Sequence, residues 1–393
     1  MTTPRPEQVA DATAPFARYG LPAGPGAEPG GAAFWAAVGG PVSVRDGAGW
    51  STLFLWRGSS ADRPVIEFES WSEPVPLGHL AGTDCWYAEV PMPARLRVTY
   101  RFLTAGEDGP TDGSGPTDGY GGREGHADPL NPAGAGGDRS LLATPDAPPQ
   151  PYWPLLGPED VLPVPRTRIR WTSVALGGRR TVRVQAVGGG GPLVLLLDGD
   201  DWLYLHPAVT AFEAAVADGA LEPVTLVFLP SGDREGEFGC RPALWEAVRT
   251  ELLPLIAESG VPCDPERLVV AGQSLGGLSA LYAALEFPDL VSRVACQSGS
   301  FWWAPGATSR PDPLGGPVGG ALAERLRAGA DLSGLRIAFD VGEHEPRMLP
   351  HCELTETLTE RAGAAVRVSR SPSGHDRAGW RHALLRDVAW ALG

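Results

Sequence analysis

Lysine is missing from the chain altogether: all 32 of its lysine-plus-arginine residues are arginine. That excludes a phosphate-gripping P-loop lysine, a Schiff-base lysine for pyridoxal chemistry and the strand lysine of protein kinases. Asparagine is represented by Asn131 alone and isoleucine is scarce, a bias that GC-rich coding DNA explains; the exclusion of lysine chemistry holds whatever its origin. Cysteine is thin as well. Cys85, Cys240, Cys263, Cys296 and Cys352 are scattered, odd in number and never spaced C-x-x-C, which argues against a disulfide framework or a thiolate metal site and for a reducing compartment. No apolar segment follows Met1-Thr2-Thr3-Pro4-Arg5, and no run is long enough to span a bilayer, so a cytoplasmic protein without a membrane role is expected. Positive charge is also short, 32 basic against 47 acidic residues for a net −15, which disfavours nucleic acid or an anionic membrane as partner.

What is present is ample for a core: 393 residues, 43% hydrophobic, with 13 Trp, a length that suggests two domains. Glycine (52) and proline (40) are abundant and mark loops. Residues 1–29, rich in Ala, Pro and Gly, read as a flexible N-terminus. From 30 to 144, after a helical turn with Phe34 and Trp35, short runs at Thr52–Trp56, Val65–Phe68, Cys85–Val90 and Leu96–Leu103 read as a small β-sandwich. Residues 105–137 read as a flexible loop, and the Pro-dense stretch 145–166 as a linker. From 167 to 393 the pattern changes. An opening pair, Arg168–Val174 and Thr181–Ala186, precedes apolar strands at Leu193–Leu197, Val224–Leu229, Leu268–Ala271, Val291–Cys296, Leu335–Val341 and Ala365–Ser369. Helical stretches near 242–258, 275–285, 319–328, 349–362 and 378–391 lie between them. The expected class is therefore α/β: a mostly parallel sheet covered on both faces, with its ligand site beyond the carboxyl ends of the strands.

Gly272-Gln273-Ser274-Leu275-Gly276 has the form G-x-S-x-G. Chance supplies roughly 0.4 such matches in a chain this rich in glycine, so the five letters alone carry little. Their setting carries more: the apolar strand Leu268–Ala271 runs into them and a helix-forming stretch from Leu278 runs out. That is the arrangement in which a sharply turned serine presents its Oγ as a nucleophile. A serine needs a base, and in this order of elements the acid and then the histidine follow it. His375, in a loop between the last strand and the last helix, occupies that place. Glu345, in the loop after the strand ending at Val341, is the preferred carboxylate to orient it, with Glu343 and Asp376 as alternates. The oxyanion requires two amide donors: Leu275 supplies one, and Gly199 or Asp200, in the loop after the early buried strand, the other. Arg234, Glu237 and Arg241 follow strand Val224–Leu229 and are candidates to bind substrate. Trp302 and Trp303, beside Phe301, are candidates to wall an aromatic pocket. Arg347 and Arg377 join Arg234 and Arg241 as candidate partners of an anionic ligand.

The sequence resembles the enterochelin (ferric enterobactin) esterases. The matching segments include Phe54-Leu55-Trp56-Arg57, Gly82-Thr83-Asp84-Cys85-Trp86 and Asp128-Pro129-Leu130-Asn131 in the first half. In the second half they include Leu197-Asp198-Gly199, Ala271 through Tyr282, Gln297-Ser298-Gly299-Ser300-Phe301-Trp302-Trp303, and Gly374-His375-Asp376 with Trp380-Arg381. The resemblance implies an immunoglobulin-like N-terminal domain ahead of an α/β-hydrolase of the esterase D type, and cytoplasmic hydrolysis of the trilactone of a catecholate siderophore, ferric or iron-free. It implies no cofactor and no metal of the protein's own, and a small-molecule siderophore ester, with or without bound Fe3+, as partner. Ser274 and His375 carry over directly, Glu345 falls on the family's Glu before Pro, and Arg234 and Glu237 match an Arg and a Glu in the loop after the strand. Arg241 stands where the family usually has Asn, and His344 where it has Arg, which leaves the particular siderophore open. Two rival readings are an esterase D-type hydrolase or acyltransferase acting on another ester or thioester, and a catalytically inert binding protein.

Overall fold

The computed structural model describes residues 14–23, 26–71, 73–105, 123–157, 160–306 and 318–393. The chain divides into two compact units, the first holding residues up to Pro149 with Leu155–Asp160, the second Gln150–Pro154 and Val161–Gly393. The stretch expected to be a linker is where the chain passes between them.

Among the described residues of the first unit two short helices, α1 (Ala14–Arg18) and α2 (Ala32–Ala37), precede ten strands. β1 (Val42–Asp46), β2 (Gly49–Arg57), β3 (Val65–Phe68), β4 (Val75–Pro76) and β5 (Gly78–His79) come first. β6 (Cys85–Met92), β7 (Arg97–Ala105), β8 (Arg123–His126), β9 (Gly134–Gly136) and β10 (Arg139–Ala143) follow. They form two antiparallel sheets, ordered β1-β2-β6-β5 and β4-β3-β7-β10-β9 with β8 on β7. Phe54, Trp86 and Val90 of the first sheet share a core with Ile66, Phe68, Tyr100 and Phe102 of the second, as alternating strands with one buried face require. Two expectations differ. Part of the supposedly flexible N-terminus is packed: Phe16, Tyr19 and Leu21 are buried against Phe34 and Leu53, because two aromatic rings and a leucine outweigh local Pro and Gly content. The supposed loop 105–137 contains β8 and β9; its segment 106–122 lies outside the described residues.

The second unit carries an eight-stranded sheet ordered β11-β12-β14-β13-β15-β16-β17-β18. The strands are β11 (Thr167–Thr172), β12 (Arg179–Val187), β13 (Gly191–Leu197), β14 (Val224–Leu229), β15 (Cys263–Gln273), β16 (Arg293–Gln297), β17 (Arg336–Gly342) and β18 (Ala365–Ser371). β11 and β12 are antiparallel to their neighbours and the other six run parallel. The helices are α3 (Gly199–Tyr204), α4 (Ala208–Ala217), α5 (Arg234–Phe238), α6 (Pro242–Ala247), α7 (Leu253–Glu258) after a π-helical turn at Val248–Leu252, α8 (Leu275–Glu286), α9 (Ala321–Arg327), α10 (Leu349–Arg361) and α11 (Arg377–Leu392). β13 shows why the strand runs are continuously apolar: Leu193, Leu195 and Leu197 face the core under α6, α8 and α10, while Val194 and Leu196 face the core under α3, α4 and α11. Chain order turns about β13, with β14 on one side and β15 on the other. Such a switch point opens a crevice beyond the carboxyl ends of the strands, and the loops after β13 and β15 are those carrying Gly199 and Ser274.

A buried polar row crosses the sheet beneath that crevice. Trp202 Nε1 donates to Gln273 Oε1 at 3.0 Å, Gln273 Nε2 to Gln297 Oε1 at 2.6 Å, and Gln297 Nε2 to Asp387 Oδ2 at 3.5 Å. Burial pushes the Asp387 carboxyl up to about 7, with Arg386 opposing and Asp340 adding to the rise. The folded state therefore holds this proton more tightly than the unfolded chain. The resulting stabilisation is complete below the unfolded value and is lost as pH rises through about 7. Urea midpoints measured from about pH 4 to about pH 8 should fall less steeply in Asp387→Asn than in the parent; equal slopes would remove Asp387 as the cause.

Candidate active site

Ser274 joins β15 to α8 with φ 56° and ψ −119°, a left-handed backbone that L-residues avoid. The neighbours compel it. A Cβ on Gly272 would lie 2.3 Å from Gly276 O, and one on Gly277 3.0 Å from Cys296 Sγ and 3.1 Å from Gly299 Cα, so side chains at these positions would force the strand and helix apart. Ser274 N donates to Gln297 O at 3.0 Å, Ser300 N donates to Ser274 O at 2.9 Å, and the two hydroxyls lie 3.2 Å apart. The elbow is thus gripped by the segment that follows β16.

That segment also reaches the second group of candidates. His375 Nδ1 lies 2.6 Å from Glu345 Oε2. A carboxylate accepts, so the proton is on Nδ1 and the neutral ring leaves Nε2 as its acceptor; Nε2 has no partner among the described residues. Glu345 Oε1 accepts from Ser298 Oγ at 2.5 Å and from Gly342 N at 2.8 Å, and the glutamate side chain is only 1% exposed. Among the three carboxylates considered, Glu345 is the one that meets the imidazole. Glu343 is exposed, and Asp376 caps α11, accepting from Ala378 N at 2.6 Å. Ser274 bonds to Ser300, not to His375; among the described residues the hydrogen bonds run from the serine to the histidine through the Gln297–Ser300 segment and Glu345.

Two helix starts meet beside the elbow. Asp198, at φ 51°, turns β13 into α3, and a Cβ on Gly199 would lie 2.4 Å from the backbone of Phe228 and Leu229. The amides of Gly199, Asp200 and Leu275 have no intrahelical acceptor and take none elsewhere among the described residues. Gly276 approaches Leu197 and Asp198, its virtual Cβ 3.4 Å from Leu197 Cβ, which brings the two sets of idle donors to one place.

The charged candidates are mostly occupied. Arg234 forks onto Asp198, with Nε to Oδ1 at 2.7 Å and Nη2 to Oδ2 at 2.8 Å. Glu237 is buried and receives Arg180 through two bonds of 2.8 and 2.9 Å, together with the amides of Gly232 and Asp233. No lone pair is left over for a ligand, so Glu237 serves to fix the loop rather than to touch substrate. Arg377 pairs with Asp201 and lies over the Trp380 ring. Arg347 is exposed. Arg241 is exposed and makes no ion pair or hydrogen bond with the described residues. Trp302 and Trp303 are half-buried against the core, and the Trp303 ring lies 2.9 Å from a virtual Cβ on Gly239, close in sequence to Arg241. Sequence reasoning gave no role to Ser298, Ser300, Asp198 or Arg180; the Gln-Ser-Gly-Ser segment was visible, its contacts were not. Among the described residues no group of three or more His, Cys, Asp or Glu is arranged to hold a metal ion, no helix is long and apolar enough to cross a membrane, and the five cysteines are free. A surface groove lined by Pro163, Pro165, Val184 and Pro262 lies toward the amino ends of the parallel strands and contains none of the candidates.

Similarity to known proteins gives this sheet, elbow and histidine–glutamate pair their class. A family model described as a putative esterase matches residues 173–391, and one described as enterochelin esterase, N-terminal, matches residues 52–153. The protein is an α/β carboxylic ester hydrolase. The iron(III) enterobactin esterase of Escherichia coli strain K12 is 31% identical over 345 residues, 82% of this chain and 83% of its own; that of Dickeya dadantii is 30% identical over 395 residues, 89% of each. A crystal structure of the enterobactin esterase from Shigella flexneri in the presence of enterobactin superposes with a TM-score of 0.78 at 30% identity, covering 92% of this chain and 98% of that one. The chain belongs to the enterochelin (ferric enterobactin) esterase family.

Because breaking a buried ion pair strands its partner, Glu237→Ala should cost about 3 kcal/mol of stability, read as a fall in the denaturant midpoint. KM for an ester substrate should stay within twofold, by the order of the assay; a large rise in KM with full stability would return Glu237 to the binding site.

Proposed function

We propose that the protein is a serine esterase that hydrolyses the ester bonds of a cyclic catecholate siderophore, enterobactin-like and either ferric or iron-free, and so releases iron inside the cell. The observation that carries this reading is that one four-residue segment, Gln297–Ser300, bonds Ser274 through its two end residues, Gln297 and Ser300, and Glu345, with its histidine, through Ser298 between them. The Ser274 hydroxyl rotates from Ser300 to His375 Nε2, which takes its proton as Oγ attacks a lactone carbonyl. The amides of Leu275 and of Gly199 or Asp200 receive the oxyanion. The C–O bond of the ester breaks, and the departing serine alkoxide takes the proton from His375. Water then attacks the acyl-enzyme with the same imidazole as base, giving a free carboxylate and regenerating Ser274. Glu345 keeps the ring in the tautomer that accepts at Nε2 and stabilises the imidazolium.

Ring opening weakens iron binding by loss of multivalency: a closed trilactone holds three catechols at high effective concentration, and a linear one does not. A ferric tris-catecholate is anionic; of the four candidate arginines, Arg241 is the one with no ion pair or hydrogen bond to the described residues, and it meets the ligand with Trp302 and Trp303 as aromatic walls. Arg234 acts indirectly, holding Asp198 and with it the turn into α3. The two-sheet first unit is read as immunoglobulin-like.

Ser274→Ala should lower hydrolysis of a trilactone siderophore by about 10^4-fold with an unchanged melting temperature, followed by mass spectrometry of linear products; retained turnover would discard the nucleophile. Arg241→Ala should raise KM for the ferric complex about fivefold and leave a neutral aryl ester unaffected; equal effects on both would place Arg241 outside charge recognition.

A further inference from the structure

Six non-glycine residues among those described have a positive φ, and three of them, Asp198, Ser274 and Ser298, stand one after each of the adjacent strands β13, β15 and β16. Strain of this kind persists where the surroundings over-determine it and clusters at functional sites. Asp198 and Ser274 have been accounted for by the oxyanion turn and the elbow. Ser298, at φ 46° and fully buried, has not.

Its left-handed turn aims the hydroxyl at two partners. Trp380 Nε1 donates to Ser298 Oγ at 2.8 Å, and Ser298 Oγ donates to Glu345 Oε1 at 2.5 Å. The indole has no acceptor to offer and the carboxylate no donor, so the direction of the chain is fixed: Trp380 N–H to Ser298 oxygen, Ser298 O–H to Glu345. The serine proton cannot turn elsewhere without losing one of the two bonds. The same indole stands edge-on to the His375 ring, centroids 4.9 Å apart and planes at 87°. One tryptophan therefore holds the imidazole by its ring and the glutamate through a serine.

We propose that Ser298 and Trp380 are positioning residues for the histidine–glutamate pair. They hold Glu345 in line with His375 Nδ1 and draw part of its negative charge away from the imidazole, so that His375 returns its proton to the leaving alkoxide readily. This rests on the reading of Ser274, His375 and Glu345 given above. Removing the Ser298 hydroxyl leaves the carboxylate more strongly basic toward the imidazolium, which raises the apparent ionisation seen in the acidic limb of kcat/KM, and leaves it less well held, which lowers kcat.

The test is the pH profile of hydrolysis of a neutral p-nitrophenyl ester by the full chain, in the parent, Ser298→Ala, Trp380→Phe and the double variant, with His375→Ala as reference. Expected are a kcat lower by about 10- to 100-fold in Ser298→Ala and an acidic limb moved upward by roughly half a pH unit. Trp380→Phe, which keeps a ring against His375, should move the limb in the same direction by less. Its effect should vanish in the Ser298→Ala background, because the N–H acts through the hydroxyl. Additive losses with an unmoved limb, the mark of simple loosening, would overturn the proposal. Should Ser298→Ala not fold, the limb of Trp380→Phe alone decides, moved or unmoved. An active His375→Ala would instead overturn the underlying mechanism, a result distinct from an active Ser298→Ala beside an inactive His375→Ala.

Discussion

A serine at φ 56° and ψ −119° holds a conformation worth of the order of 1–3 kcal/mol of strain, and it stays there because nothing around it can yield. The glycines at 272 and 277 let strand, helix and the segment after β16 approach within van der Waals contact. The backbone of Ser274 is bonded on both sides by Gln297 and Ser300, and α8 is buried along most of its length. The same approach of elements puts Leu275 beside the turn into α3 and puts Ser298 within reach of Glu345. The crevice is therefore a consequence of how tightly three adjacent parallel strands end.

The second organising fact is electrostatic. In a chain of net −15, arginines near the sheet's carboxyl edge are drawn into local pairs: Arg180 with Glu237, Arg234 with Asp198, Arg377 with Asp201. These pairs brace the loops that carry the candidate catalytic groups. They also reduce the positive charge available to an anionic ligand, which is why the proposed binding role is given to Arg241.

Much of the second unit was legible in the sequence because its strands are buried on both faces and leave uninterrupted apolar runs: Val224–Leu229 begins and ends where the run does. Two short helices, α3 and α5, were not. Gly199–Tyr204 begins with Asp and Gly, which read as a turn, and Arg234–Phe238 is five residues of mainly charged sequence; both form because tertiary bonds, Trp202 to Gln273 and Arg180 to Glu237, hold them. The elbow was visible as strand, small residues and helix in immediate succession. The employment of each arginine was invisible, since Arg234 lies 36 positions from Asp198 and Arg180 lies 57 from Glu237. Glu345 differs from Glu343 by the turn at Gly342, whose amide bonds Glu345 Oε1 and draws that side chain inward, a backbone effect with no signature in composition.

The proposed hydrolysis stands on a single activated hydroxyl, and covalent capture tests it most directly. A fluorophosphonate probe applied to the intact protein and mapped by peptide mass spectrometry should give one adduct, on Ser274, whose rate of formation collapses in His375→Ala. An adduct on any other residue, or labelling of Ser274 at an undiminished rate without the imidazole, would contradict it.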